Sequence, residues 1–580
     1  MRRRLRVVRV ARAGALTLEL QRVQYPMQVR ELWLMKLPGW DAWRRIRRRL
    51  QQPLAGHLPE RPEELWRAYN KLLAAQANQH SLVPYCRWME TVEPHYVESL
   101  PSISSATHPR FHIHPAGSPP HNAPVGTWVV LLHSSSRLSD WALPAMAEAI
   151  RQCPQAALFY GDEDQLSPGG ERHSPQFKPA WNRELCWCDP GYSHCWVVAA
   201  ELWNRWLDHE LPASSEPGWQ SVVLGLVSQL KGEEERIRHV PLVLSHRRVD
   251  CQTESLPAAD LETVLRRHLG PGSPRVVCNR AHHRGYRLLW PLPLETLLSV
   301  VIPTRDRPEL LEACLASIDR HTPGCDLEIL VADNGSVEPA MLALLERFQS
   351  ASRPERRQVV IPTPGPFNYS AINNLAIRSS GGSVILLLNN DVEFLQKGWG
   401  RALASNALRP GIGCVGAQLL YPDRRVQHGG VILGVGGIAG HAHQDFAANA
   451  AGYQGRLQLS QELSAVTGAC LAISRENWQQ LGGLDERNLA VNYNDVDLCL
   501  RARQLGLRNL YLPHVRALHH ESKSRGRPEG EAYRQWRREW AVMKRRWGDM
   551  LLADPAYSPH LNLEAADWTL SLRRGAPLVR

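Results

Sequence analysis

The sequence lacks several features that would decide its class at once. No run of about 18 apolar residues occurs in the 580-residue chain, so no segment reads as a membrane-crossing helix. The basic opening MRRRLRVVRVAR has no clean apolar stretch with a cleavage site, so no signal peptide is expected. No CxxC occurs among the 12 cysteines, and Cys186-Trp187-Cys188 is too tight for an ordinary zinc pair. Scattered thiols of this kind read as reduced and mostly buried, in a cytosolic protein. Zinc-finger, RNP and helix-turn-helix patterns are missing, which argues against nucleic acid as a partner despite a net charge of +11. No Walker lysine loop appears, and Gly434, Gly436 and Gly437 in ILGVGGIAGH lack the strand-to-helix setting of a dinucleotide fingerprint.

What is present suits a large globular chain. Hydrophobic residues make up 43% and charged residues 22%, enough to bury a sizeable core. At roughly 150 residues per domain, three or four domains are expected. The positive charge is clustered. Trp33, Trp40 and Trp43 sit beside the basic run at 44–49 in WRRIRRRLQQ, and YRQWRREWAVMKRRWG lies near the end. Basic residues interleaved with Trp and Leu can rest on an anionic membrane surface or form a solvated basic helix.

The chain divides by pattern. Residues 1–126 read as a basic helical leader and a Pro/Ser/His-rich linker. Residues 127–270 alternate strand and helix, from TWVVLL to the closing strand IRHVPLVLSH, and 271–296 read as a further Pro-containing link. The strongest alternation starts at LSVVIP and runs through PELLEACLASIDRH, LEILVADNGS, PAMLALLERFQ, QVVIP, SAINNLAIRSS and SVILLLNND. This is the α/β pattern of a parallel sheet with right-handed crossovers. Residues 296–527 form this unit, and 528–580 read as a basic helix and tail.

Ligands bind beyond the carboxyl ends of strands in open parallel sheets. Three strands here end in polar groups: Thr304-Arg305-Asp306, Asp333-Asn334-Gly335-Ser336 and Asn389-Asn390-Asp391. One such ending is ordinary turn chemistry. Three on one sheet edge describe a pocket, in which Arg305 can face a phosphate, Asp333 and Asn334 a base, and Asn389 a ribose. With no glycine loop to cradle phosphates, an oxygen-ligated divalent metal at Asp391 is the expected counter-charge.

These segments resemble the inverting family 2 glycosyltransferases of GT-A fold, in particular rhamnosyltransferase-type enzymes of bacterial surface polysaccharide and O-antigen synthesis. The resemblance runs from LLSVVIPTRDRPELLEACLASI through FNYSAINNLAI, LLLNNDVEF, VGAQLLYPDRRVQHGGVILG, SAVTGACLAISRENW and GGLDERNLAVNYNDVDLCLR to LYLPHVRALHHESKSRG and the tail RRWGDMLLADPAYSPHLNL, over residues 296–563. It implies a D-x-D-like motif at Asn389-Asn390-Asp391, with an amide in place of the first acid and Asp391 as the main ligand of Mg2+ or Mn2+. Thr304, Arg305, Asp306, Asp333, Asn334 and Asn374 would complete the nucleotide-sugar site. The family's acidic pair falls on Asn494-Asp495, making Asp495 the general base. His519 or His520 would return to the metal, with Glu393 assisting through water. Thr467, Gly468 and Asp497 are placed on the acceptor side, with Asp497 otherwise supporting the loop or capping its helix. His428 is a donor or acceptor contact or a core histidine. The implied partners are a nucleotide sugar (dTDP-rhamnose or a UDP-sugar) and a glycan or lipid-linked acceptor. The implied location is cytoplasmic, with peripheral contact at the inner membrane face.

Residues 127–248 resemble the same family in a worn form. His133-Ser134-Ser135-Ser136 stands where acids are expected, PGWQSVVLGL where the base is expected, and nothing like LSVVIPTRDR precedes them. A degenerate second GT-A-like domain follows, with Asp162, Glu163 and Asp164 read as past the metal position or as a solvated turn. The worn half makes a non-catalytic glycan- or nucleotide-binding scaffold the alternative to an enzyme.

Overall fold

Runs of Val, Ile and Leu build two sheets, seen in a computed structural model that describes residues 7–10, 16–18, 84–100, 109–115, 120–210, 218–248, 256–279, 285–321, 323–354, 356–520, 530–563, 568–572 and 577–580. The first sheet has seven strands: β1 (Phe111–Pro115), β2 (Trp128–Leu132), β3 (Ser136–Leu138), β4 (Leu158–Leu166), β5 (Arg172–Gln176), β6 (Cys195–Ala199) and β7 (Ile237–Arg248). Their order is β1-β2-β6-β4-β7-β3, with β5 beside β4. Helix α1 (Trp219–Ser228) precedes β7.

The second sheet has ten strands. They are β8 (Leu297–Thr304), β9 (Asp326–Asp333), β10 (Gln358–Pro362), β11 (Val384–Leu388), β12 (Val392–Phe394), β13 (Ile412–Leu420), β14 (Val426–His428), β15 (Gln461–Leu463), β16 (Cys470–Ser474) and β17 (Arg508–His519). Their order is β10-β9-β8-β11-β16-β13-β17-β12, with β14 on β13 and β15 on β17. Helices α2 (Pro308–Arg320), α3 (Tyr369–Arg378), α4 (Asn494–Gln504) and α5 (Gly530–Trp547) flank it. Every residue of β11 is 0% exposed, and β11 is bonded to β8 in parallel and to β16 antiparallel. Each such fully buried aliphatic side chain contributes about 1.5–3 kcal/mol.

The two sheets share a topology. Each first-sheet strand has a counterpart with the same neighbours in the same sense: β1 for β8, β2 for β11, β6 for β16, β4 for β13, β7 for β17, β3 for β12 and β5 for β14. Strands β9, β10 and β15 have no counterpart among the described residues. Register carries the match to single residues. Ser136 pairs Arg247 as Val392 pairs His519. His133-Ser134-Ser135 therefore stands in the place of Asn389-Asn390-Asp391, and Arg247 in that of His519.

Several expectations are corrected here. The linker 101–126 contains β1, and this parallel edge strand is the remnant of the strand that seemed absent. The link at 271–296 contains an antiparallel hairpin, Arg275–Cys278 with Tyr286–Leu289, whose Val276, Tyr286 and Leu288 enter the first core. Of the leader read as helical, Val7–Val10 and Leu16–Leu18 pair as strands, and the rest of 1–83 lies outside the described residues. Within 528–580, α5 packs on the second sheet through Met543 and Trp547, whereas Tyr557, Leu561, Trp568 and Leu570 pack with Val130, Phe159 and Val240 of the first.

Asp162, Glu163 and Asp164 do not form a solvated turn. All three lie within β4 at 0%, 1% and 0% exposure. Asp162 meets His239 at 2.8 Å, Glu163 meets His194 at 2.8 Å and Lys178 at 3.2 Å, and Asp164 meets Arg172 and His246 at 2.6 Å. Their charges are spent on neighbours within the domain. The eleven described cysteines are free, most of them buried. Among the described residues no helix is long and apolar enough to cross a membrane.

The halves are joined by a buried ion pair. Glu184 takes two hydrogen bonds from Arg409, at 2.8 and 3.0 Å, and the Arg409 guanidinium lies 3.7 Å over the Trp290 ring. Burial works to raise the Glu184 carboxyl, but Arg409 outweighs it and holds it below its ordinary value. A depressed carboxylate adds stability above its unfolded pKa and loses it as pH falls through the folded one. Glu184→Gln is expected to cost about 3–5 kcal/mol at neutral pH. Denaturant unfolding should show that difference shrinking below about pH 4.

Candidate active site

The carboxyl ends of β8 and β11, the β16 entry and the N-terminus of α4 enclose a cleft of about 440 Å3. Thr304, Arg305, Asn389, Asn390, Asp391, Thr467, Gly468, Asp495 and His519 line it. Polar ends gather because β11, flanked on both sides, can release its side chains to ligand only past Leu388. Asn390 Nδ2 donates to Thr304 Oγ1 at 2.9 Å, tying two strand ends together.

At the floor, Asp391 Oδ1 lies 3.2 Å from His519 Nε2. His519 Nδ1–H donates to Gln427 Oε1 at 2.6 Å, which fixes the orientation of the ring. His519 Nε2 and Asp391 Oδ1 thus lie side by side on the cleft, a nitrogen and an oxygen of the kind a divalent cation takes. Asn389 Nδ2 donates to the same Nε2 at 3.2 Å. Burial works to raise Asp391, but His519 outweighs it and the carboxyl lies below its ordinary value. His520 points elsewhere, with Nε2 2.6 Å from Glu393 Oε1. Among the described residues no group of three or more His, Cys, Asp and Glu is gathered to hold a metal alone. One carboxylate and one oriented imidazole with open positions fit a divalent ion whose shell substrate completes.

Asp495 stands in the first turn of α4, half-buried. Its Oδ2 accepts from Gly468 N at 2.8 Å and its Oδ1 from Val496 N at 2.8 Å. A Cβ on Gly468 would sit 3.3 Å from Asp495 Cβ, so glycine there keeps the backbone close to the acid. Tyr369 Oη donates to Gly468 O at 3.0 Å.

The other five expected site residues are not among the lining. Asp306 accepts from Val337 N and Glu338 N, at 2.8 and 2.9 Å. Asp333 caps its own turn through Ser336 N and Oγ. Asn334 donates to Thr363 O at 2.6 Å. Asn374 grips Leu484, giving 2.9 Å to its O and taking 3.0 Å from its N. Asp497 is 0% exposed and accepts from Arg501 Nε, Arg546 Nη1 and Trp547 Nε1, which joins α4 to α5 rather than facing an acceptor. Short polar side chains at strand ends suit turn bracing as well as ligand contact, so sequence alone does not separate the two. His428 is fully buried and pairs with His441, 2.7 Å away on the cleft wall. Burial, then the charges of His441 and His519, push the His428 imidazole well below its ordinary range.

Sequence reasoning missed Gln427, which orients His519, and the contribution of α5. Glu539, 3% exposed, accepts from Val491 N at 3.0 Å, Asn492 N at 2.8 Å and Asn492 Nδ2 at 2.6 Å. The next residue, Tyr493, is left-handed at φ 62°, a conformation that costs a non-glycine residue about 1–3 kcal/mol. The buried carboxylate offsets that strain and fixes the loop leading into Asp495. The signal was an acid inside a basic helix, WRREWAVMKRRW.

The fold is of the GT-A type found among glycosyltransferases. Residues 299–480, which carry the strand ends Thr304 and Asn389–Asp391, match Glycosyl transferase family 2. The chain is 40% identical over 465 residues to the uncharacterized protein y4gI of Sinorhizobium fredii, covering 77% of this chain and 50% of that one. It is 32% identical over 455 residues to the O-antigen biosynthesis protein RfbC of Myxococcus xanthus, covering 76% and 34%. A 28% match over 254 residues, 40% of this chain and 78% of the relative, is to an N-acetylglucosaminyl-diphospho-decaprenol L-rhamnosyltransferase of Mycobacterium tuberculosis. The chain spans about half the length of the first relative and about a third of the second.

Glu539→Ala should free the loop before Asp495. Hydrogen exchange at the Val491 and Asn492 amides is expected to speed up by about tenfold or more, the loss of roughly one charge-assisted hydrogen bond each.

Proposed function

We propose that the chain is a metal-dependent, inverting glycosyltransferase. It moves a sugar from a nucleoside diphosphate onto a hydroxyl of a growing or lipid-linked glycan of a bacterial surface polysaccharide. One observation carries this reading: the Asp391–His519 pair and Asp495 line the same cleft. The name of one relative, an L-rhamnosyltransferase, favours a rhamnose donor; dTDP-rhamnose is the first candidate and UDP-sugars the next.

Asp391 and His519 would hold Mg2+ or Mn2+, which when bound neutralises the diphosphate of the donor. Arg305, exposed at the lip, adds a positive charge for the phosphates. Asn389 and Asn390 present amides to the sugar nucleotide. Gly468 N–H and the first turn of α4 hold Asp495 in place. Asp495 takes the proton of the acceptor hydroxyl while that oxygen bonds the anomeric carbon. The bond to the leaving diphosphate breaks on the opposite face, and configuration inverts. In the first half, Ser135 and Arg247 replace the acid and the imidazole, so no metal chemistry is assigned there. A cytoplasmic setting with peripheral membrane contact is in keeping with the exposed Arg534, Arg537, Arg538 and Arg545 on α5.

A donor screen tests this. Purified chain with Mg2+ or Mn2+ and a panel of nucleotide sugars should release nucleoside diphosphate from one donor. Asp495→Asn should lower kcat by about 10²–10⁴-fold with donor affinity kept. Silence in turnover and in calorimetric donor binding alike would favour a non-catalytic scaffold. In a separate titration, Gln427→Leu should weaken Mn2+ binding by about 10–100-fold without unfolding the chain.

A further inference from the structure

Helix α5 lies outside the segment that matches the family, 299–480, yet it forms a wall of the cleft. Trp536 is the residue that reaches in. It stacks on Tyr533, with ring centroids 5.8 Å apart and planes at 24°. It also hydrogen-bonds Tyr493, whose hydroxyl burial pushes up to about 12. Tyr493 is two residues before Asp495, and Glu539 pins the intervening backbone. Trp536, Tyr493 and Tyr369 thus stand on the general-base side of the cleft. Thr304 and Arg305 mark the other side.

Resting on the transfer reading above, we propose that α5 supplies an acceptor subsite: the half-buried Trp536 ring is a stacking surface for a pyranose of the acceptor glycan, held in place by Tyr493 and Tyr533. A sugar ring offers one apolar C–H face, which an aromatic face matches, while its hydroxyls stay at the polar rim. A nucleobase would suit the same ring. The position beside Asp495 favours the acceptor, because the base must reach the hydroxyl it deprotonates. One face of the indole stacks on Tyr533, and its N–H is turned toward Tyr493.

Saturation-transfer NMR on the full chain tests this directly. The probes are methyl glycosides of rhamnose, glucose and N-acetylglucosamine, with Mg2+ and UDP present. At least one glycoside should receive saturation at its C–H face protons. Trp536→Ala should weaken that binding by about tenfold or more, Trp536→Phe should largely restore it, and UDP affinity should be unchanged in both. Equal saturation in Trp536→Ala, no saturation of any glycoside by the native chain, or a matching loss of UDP affinity would overturn the proposal, the last by making Trp536 a nucleobase platform. Nucleoside diphosphate release in the donor screen reads the transfer reaction separately, so failure of the subsite and failure of the transferase reading remain distinct.

Discussion

Strand β11 is hydrogen-bonded on both edges and buried on both faces, and the chemistry of the chain depends on where it ends. A strand so enclosed can carry no polar side chain along its length without a partner. Its first permissible polar residues are Asn389, Asn390 and Asp391, and they emerge at the edge where β8 ends and β16 begins. Asp391 then meets His519 because β12, which starts at the next residue, runs antiparallel to β17 with Val392 opposite His519. The cleft is a consequence of pairing, and the pairing follows from the aliphatic run VILLL.

The first sheet repeats this pairing with different residues at its ends. The same loop length separates β2 from β3 as separates β11 from β12, and the same register places Arg247 where His519 stands. A guanidinium brings its own positive charge, so a divalent ion has no reason to bind there. The acids of this half lie in the sheet interior, paired with His239, His194, Lys178, Arg172 and His246. The two halves share the topology and differ in what stands at the strand ends. The half then serves as a partner surface, with Glu184 clasping Arg409 and Asn182 bonded to Glu462 across the junction.

Much of this was legible in the sequence. The strand–helix alternation from Leu298 and the polar strand ends gave the second sheet and the residues Asn389 to Asp391. The likeness of the two halves was also readable, although its first strand was hidden because FHIHP sits among prolines and serines. What escaped reading were contacts over long sequence separations. Gln427 is 92 residues from His519, and Glu539 is 48 from Val491. No local period encodes such pairs. Asp306, Asp333, Asn334 and Asn374 show the converse limit: turn bracing and ligand binding use the same side chains.

The tail brings a matter of timing. Trp568, Leu570 and their neighbours complete the core of a sheet whose last strand ends at Arg248, and Arg580 and His239 exchange backbone hydrogen bonds at 2.8 and 2.9 Å. At roughly 5–20 residues per second, the ribosome needs about fifteen seconds to a minute to go from one to the other. Throughout that interval the first sheet is made but uncovered on one side. It is therefore the half of the chain most exposed to aggregation during synthesis, and the half in greatest need of a chaperone, although it is the first to leave the ribosome.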